Sequence, residues 1–175
     1  MMSNAPYSQA LIPTPIGDVL TICSEKGLRG CWFIGQSHFP KQSLEQCSQD
    51  PTIGKRFHQA AKLQLENYFK NQIDKFNIEL DLNNLGTSFQ KDVWLALLNV
   101  PFGHTVSYSD IARTISRPNA TRAVGAAIGK NPISVIIPCH RVIGSNGDLT
   151  GYAGGIERKK YLLGLEKLRH TTPQK

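Results

Sequence analysis

The sequence predicts an α/β protein in two parts. A small N-terminal α/β domain with its linker spans residues 1–85, and a C-terminal winged helix-turn-helix domain spans residues 86–175. Three observations predict this. Residues 6–35 carry three short apolar segments separated by turn residues, and an amphipathic helical stretch follows. Val106 to Ile128 reads as two short helices broken at Arg117-Pro118, with a turn-bearing segment beyond. Charge is also uneven: residues 1–85 hold eight Lys+Arg and eight Asp+Glu, whereas residues 86–175 hold twelve and five. The entire net charge of +7 therefore lies in the second part. A basic half points to a polyanion, nucleic acid first, although a basic soluble surface gives the same count.

In chain order, Tyr7 to Ile12 is a short strand and Thr14-Pro15-Ile16-Gly17-Asp18 has turn chemistry. Val19 to Cys23 is a second strand, Lys26-Gly27 a turn, and Leu28 to Ile34 a third strand. Residues 36–52 are polar and loop-like. Ile53 to Lys70 reads as a helix with Phe57, Ala60, Ala61, Leu63, Leu65 and Tyr68 on a broad apolar side. Phe76, Ile78, Leu80 and Leu82 alternate with polar residues, which predicts a half-buried strand. Asn83-Asn84-Leu85-Gly86 forms the linker.

Thr87-Ser88-Phe89-Gln90 has capping-box spacing, and the helix it opens turns Phe89, Val93, Trp94 and Leu97 inward before Pro101-Phe102-Gly103 ends it. Ser109 is placed to cap a helix burying Ile111, Ala112 and Ile115. Asn119 is placed to cap a second helix, Ala120 to Ile128, rich in small residues. Small side chains suit close approach to DNA or to another helix. Arg122 lies in the first turn of that helix, where a cation opposes the helix dipole. Val142 to Tyr152 reads as a hairpin turning at Asn146-Gly147, the wing, and Ile156 to Leu168 as a closing helix.

The chemistry concentrates around Ile133-Ser134-Val135-Ile136-Ile137-Pro138-Cys139-His140-Arg141. The β-branched run reads as a buried strand stopped by Pro138. Taken alone, Cys139 fits a small buried hydrophobe. With His140 and Arg141 beside it, a cationic setting that favours the nucleophilic thiolate is expected instead. The other cysteines, Cys23, Cys31 and Cys47, have no metal-ligand spacing. They read as reduced, buried thiols, with a metal site shared with His58 as the weaker alternative. No apolar run is long enough to cross a membrane and no export signal is visible, so a cytoplasmic protein is expected.

Pro138-Cys139-His140-Arg141-Val142, together with Asn131-Pro132 upstream and Tyr152-Ala153-Gly154-Gly155 downstream, resembles the active-site region of the O6-alkylguanine-DNA alkyltransferases. The resemblance covers most of residues 86–175; residues 1–85 share only the general layout. It implies a ribonuclease-H-like N-terminal domain and direct reversal of DNA damage. A flipped-out O6-alkylguanine, with O4-alkylthymine as a further lesion, would lose its alkyl group to Cys139. No cofactor is implied; some members bind zinc in the N-terminal domain, but the cysteine spacing here leads to no metal being expected, and the partner is double-stranded DNA containing O6-alkylguanine, bound by a monomer.

Residue by residue, the resemblance makes His140 the base that takes the thiol proton through a water, and Glu166 the carboxylate that orients His140. Tyr108 would donate to the purine N3, although a capped core aromatic is its ordinary role. Asn131 would brace the turn at the cysteine, although Asn-Pro also starts plain turns. Arg122 would fill the gap left by the base or, with equal weight, contact phosphate or solvent. Tyr152, Ala153 and Gly154 would line the base pocket, and Arg141 would serve DNA or substrate. Ala153 stands where some members have a serine that contacts O6. Two other classes fit parts of the pattern: a cysteine hydrolase using Cys139, His140 and Glu166, and a DNA-binding regulator in which Cys139 is structural.

Overall fold

The structure, a computed structural model, describes residues 7–40, 47–48 and 52–171, with side chains to Leu168. It divides into two compact units, Met1–Asn83 and Asn84–Lys175.

The first unit is built on an antiparallel sheet of β1 (Tyr7–Ile12), β2 (Val19–Ser24) and β3 (Leu28–Phe33), in that order. Every residue of β2 and β3 is buried, as suits apolar strands covered on both faces. Helix α1 (Lys55–Phe69) packs on β2 and β3 and buries Phe57, Ala61, Leu65 and Tyr68, an i, i+4, i+8, i+11 stripe. It starts at Gly54, whose φ is +59° and whose added Cβ would lie 2.5 Å from Cys23 Cβ. Only glycine meets both conditions.

Residues 76–82 do not join the sheet as a strand. They run extended, and one parallel bridge links Leu80 to Leu28. The alternation in exposure holds from Phe76 to Leu80; the Asp81 amide makes the last bridge bond, to Leu28 O at 2.9 Å, and its carboxylate is buried. It accepts from Ser24 Oγ at 2.6 Å, Arg29 Nη1 at 2.9 Å and Asn83 Nδ2 at 2.9 Å. Much of the loop expected over residues 36–52 lies outside the described residues.

The second unit opens with helix α2 (Ser88–Leu97), capped by Thr87 and Gln90 in the expected reciprocal box. It buries Val93, Trp94, Ala96 and Leu97; Phe89 is only half-buried. A short strand β4 (Val106–Ser107) leads into α3 (Tyr108–Thr114). The cap of α3 is Ser107, not Ser109, because Asp110 stands at N3 relative to Ser107 and completes a second capping box. Helix α4 (Thr121–Gly129) follows with Ala120 at its N-cap and no side-chain cap, so Asn119 does not fill that role. Trp94 Nε1 donates to the Ala127 carbonyl at 2.9 Å and ties α2 to α4.

The run Ile133 to Ile137 is buried, as expected, but it is a series of turns rather than a strand. Val135 sits at φ +70°, and the amides of Ile136, Ile137 and Cys139 donate back to Ser134, Ile133 and Ile137. Local bonding of this kind excludes ladder pairing. Pro138 leads into a single 3-10 turn, Cys139–Arg141, and then β5 (Val142–Ile143). Strand β5 pairs in parallel with β4, so the hairpin expected over Val142 to Tyr152 is absent as a ladder. Its turn survives: the Gly144 amide donates to Asp148 O and the Gly147 amide to Gly144 O. Helix α5 (Ile156–Thr171) closes the unit.

Candidate active site

Cys139 occupies the first position of the 3-10 turn and is 3% exposed. Asn131 builds the floor beneath it. Its Nδ2 donates to Ile137 O at 2.9 Å and to Cys139 Sγ at 3.0 Å, while its Oδ1 accepts from the Ile133 amide at 3.0 Å. One amide side chain thus shapes the turns and donates to the sulfur.

His140 and Glu166 are both 0% exposed, on different elements, and meet at 2.7 Å between Nε2 and Oε1. Burial by itself would raise the Glu166 carboxyl, but bonds from His140 and Arg141 hold it well below the usual carboxylate range. An ionised carboxylate only accepts, so Nε2 carries the proton and Nδ1 is the basic nitrogen of the ring. Burial lowers the His140 imidazole against the upward pull of Glu166, which keeps it neutral near pH 7 and able to accept a proton.

Arg141 also faces inward. Its Nε and Nη2 donate to Glu166 at 3.0 Å, its Nη1 to Val100 O at 2.7 Å, and its guanidinium lies 5.7 Å from the Phe102 ring centroid. This places Arg141 in the buried network and corrects the expectation that it contacts DNA or substrate. Its charge is spent on Glu166, whose Oε2 also accepts from the Gly103 amide at 3.1 Å. Glu166 therefore joins the 3-10 turn, the loop after α2 and α5.

Burial works against the thiolate expected from a cationic neighbourhood. Burial pushes the Cys139 thiol up to about 11, against the opposing pull of the Asn131 bond, the Lys159 charge and turn amides. Desolvation outweighs the cations because Arg141 is already paired and His140 is neutral.

Tyr108 lies half-buried over α4, where a Cβ on Gly125 would sit 3.7 Å from its ring. Its hydroxyl donates to Thr150 O at 3.1 Å. Tyr152 and Ala153 are half-buried beside buried Gly154, whose carbonyl accepts from Arg158 at 2.9 Å. Arg122, with Ala123 and Ala126, is on the exposed side of α4.

Residues 88–168 match the DNA-binding domain of 6-O-methylguanine DNA methyltransferase, and residues 8–82 match the ribonuclease-like domain of the same family. The chain belongs to the 6-O-methylguanine DNA methyltransferase family. A methylated-DNA–protein-cysteine methyltransferase of Methanosarcina barkeri is 45% identical over 157 residues, which span 90% of this chain and 95% of that protein. The crystal structure of Mycobacterium tuberculosis O6-methylguanine methyltransferase superposes with a TM-score of 0.82 at 43% identity, covering 97% of this chain and 96% of that one. A Mycobacterium tuberculosis OGT in complex with DNA superposes at 0.79 with 44% identity, covering 93% of each chain. The two-part α/β architecture expected from the sequence is that of the family.

Within this methyltransferase fold, one buried group escaped the sequence reading. Lys159 is 0% exposed, and its Nζ donates to Val142 O at 2.5 Å and Thr150 O at 2.8 Å. The signal was available: Lys159, Leu162 and Glu166 stand at i, i+3 and i+7, one buried stripe of α5. A lysine in such a stripe is rarely left without a task. No group of three or more His, Cys, Asp or Glu able to hold a metal exists among the described residues.

Proposed function

We propose that this protein repairs alkylated duplex DNA by transferring the alkyl group from O6 of guanine, and from O4 of thymine, irreversibly to Cys139. The observation that carries the reading is the buried His140–Glu166 pair at 2.7 Å, next to a nucleophile gripped by Asn131 in a domain of the DNA-binding type. Residues 86–175 would hold both the DNA site and the chemistry, and residues 1–85 the second domain.

The reaction follows from these groups. The Cys139 proton passes to His140 through a water, and Glu166 stabilises the resulting imidazolium. The sulfur then attacks the alkyl carbon. An S–C bond forms as the C–O6 bond breaks, and the electron pair stays on guanine, which is protonated. Tyr108 donates to the purine once its hydroxyl leaves Thr150 O, and Tyr152, Ala153 and Gly154 line the pocket. Ala153 has no side-chain donor, so any contact to O6 there comes from a backbone N–H. The target atom is unreachable inside the stack, so the base is flipped, and exposed Arg122 fills the gap it leaves. The protein would act as a monomer in the cytoplasm, on double-stranded DNA containing O6-alkylguanine.

A thioether has no carbonyl for water to attack, so the acceptor is consumed. Intact-mass measurement with excess O6-methylguanine duplex should show one methyl group per chain, mapped to the peptide containing Cys139. Repair continuing past one equivalent would bring back the hydrolase reading. In the same assay, Arg122→Ala should slow duplex repair far more than reaction with free O6-benzylguanine; equal losses would remove the gap-filling role.

A further inference from the structure

The segment from Thr150 to Gly155 leads into α5, and α5 holds both of its ends. At the first end, the Thr150 carbonyl accepts from the Tyr108 hydroxyl at 3.1 Å and from Lys159 Nζ at 2.8 Å. At the second, Arg158 Nη1 donates to Gly154 O at 2.9 Å. The N–H of the same peptide unit, that of Gly155, donates to Tyr152 O at 2.9 Å. A peptide unit is planar, so bonds at both its C=O and its N–H fix its orientation. The Gly154–Gly155 unit is fixed in this way. Among the described residues the neighbouring amides of Ala153 and Gly154 meet no protein acceptor. Two adjacent backbone donors thus stand beside an anchored peptide, open to an acceptor from outside the chain.

Helix stability does not call for an arginine at 158. Arg158 stands third in α5, where a cation opposes the helix dipole that Glu157 beside it complements. Its charged neighbours behave as surface residues: Glu157 and Lys160 are exposed and pair with each other at 2.9 Å. Arg158 is half-buried instead and reaches back to the segment before the helix. A guanidinium bond to a carbonyl is charge-assisted and stronger than a bond between neutral groups, so it holds Gly154 more firmly than a backbone amide would.

We infer that Arg158 is a positioning residue for the damaged base: its bond to the Gly154 carbonyl sets the Gly154–Gly155 peptide and, with it, the direction of the Ala153 and Gly154 amides. This rests on the alkyltransferase reading, which makes the segment a wall of the base pocket. Arg158 touches neither the sulfur nor the base and exchanges no proton. It acts by keeping the wall in one conformation, so that the base is held in line with Cys139 when the sulfur attacks.

The test separates base positioning from thiol reactivity and from DNA affinity. Single-turnover methyl transfer from O6-methylguanine duplex gives a limiting rate and a half-saturating DNA concentration. Iodoacetamide, which needs only the thiol, reports Cys139 by the mass of its peptide. Arg158→Met should lower the limiting rate roughly tenfold or more, and leave both the iodoacetamide rate and the affinity for undamaged duplex near those of the wild type. Equal losses with the duplex and with iodoacetamide would mean a general disturbance of the site and overturn the proposal. An unchanged limiting rate with weaker, less salt-dependent duplex binding would make Arg158 a phosphate contact instead. Circular dichroism checks folding. If Arg158→Met does not fold, Arg158→Gln, which keeps a neutral N–H donor, carries the same measurements; failure of both to fold would reduce Arg158 to a structural staple. A wild type that accepts iodoacetamide but takes no methyl group from DNA would sink the alkyltransferase reading, and the Arg158 role with it. An active wild type matched in limiting rate by Arg158→Met sinks the Arg158 role alone.

Discussion

Each unit of this protein buries a cysteine near a histidine, and the two pairs differ in what faces the imidazole. In the N-terminal unit, Cys23 Sγ lies 3.4 Å from His58 Nδ1. The same ring meets Thr21 Oγ1 and Ser8 Oγ, each at 2.8 Å, and those hydroxyls also bond the carbonyls of Ala10 and Ile53. Hydroxyls satisfy both ring nitrogens but bring no counter-charge, and burial lowers the imidazole. In the C-terminal unit the imidazole faces a carboxylate instead, at 2.7 Å. Burial raises both thiols; at Cys23 the neighbouring Cys31 adds to the rise, whereas at Cys139 the Asn131 bond, the Lys159 charge and turn amides oppose it. A thiol beside a histidine is therefore weak evidence of a nucleophile; fixed charge around the pair is the stronger sign.

The largest expected effect tests that contrast directly. Cys139→Ser should abolish transfer of labelled methyl groups from DNA, since a hydroxyl is a far weaker nucleophile without strong activation. Cys23→Ser should still accept one equivalent. Loss of transfer in a folded Cys23→Ser protein would break the distinction between the two clusters.

Next in size is Glu166→Gln. It deprives His140 of its orienting charge and leaves Arg141 buried without a counter-ion. Transfer to Cys139 should fall on the order of 10²-fold or more, and stability by about 3–5 kcal/mol. The sign of the pH dependence follows from the depressed carboxyl. Its stabilisation is present above the unfolded value of about 4 and is lost as pH falls through the folded value. Thermal melts should therefore show wild type losing stability below pH 4, and Glu166→Gln losing less over the same range. Parallel curves would mean that Glu166 does not carry the acid sensitivity.

The smallest effect concerns the other buried carboxylate–arginine pair, Asp81 with Arg29 in the N-terminal unit, 2.9 Å apart. Burial would raise Asp81, but Ser24, Arg29 and Asn83 together bring it down to about 2. Its contribution, roughly 2 kcal/mol, is full above pH 4 and fades toward pH 2. Asp81→Asn should lower the melting temperature at pH 7 and have little further effect at pH 2, while the rate with free O6-benzylguanine stays unchanged. A slowed reaction with the free base would show that this pair serves the chemistry as well as the fold.

Several features were legible because they depend on near neighbours in the chain. The capping box of Thr87 and Gln90 needs only residues three apart, and it is present as read. The three strands of the N-terminal sheet follow from short apolar runs between turns. Cys139, His140 and Arg141 announced the site because they are consecutive. The same local reasoning failed where two local rules compete. Ser107 and Ser109 both fit a cap, and Asp110 at N3 decides for Ser107. A β-branched run fits a strand, yet Asn131 and its three hydrogen-bonded neighbours fold residues 133–137 into turns.

By itself the sequence determined the two-part α/β layout and the basic second half, and it singled out Cys139 as the candidate nucleophile, since periodicity, net charge and adjacency are properties of the chain alone. Only the tertiary structure decided which charges are buried. Arg141 and Lys159 look like surface cations in a basic domain, and Glu166 like the edge of an amphipathic stripe. Their roles depend on α5 bringing Glu166 to the 3-10 turn and Lys159 to the Val142 carbonyl, and on how much water that packing excludes. Desolvation sets the Cys139 thiol and the His140 imidazole, and it is a property of the assembled core that no stretch of sequence carries.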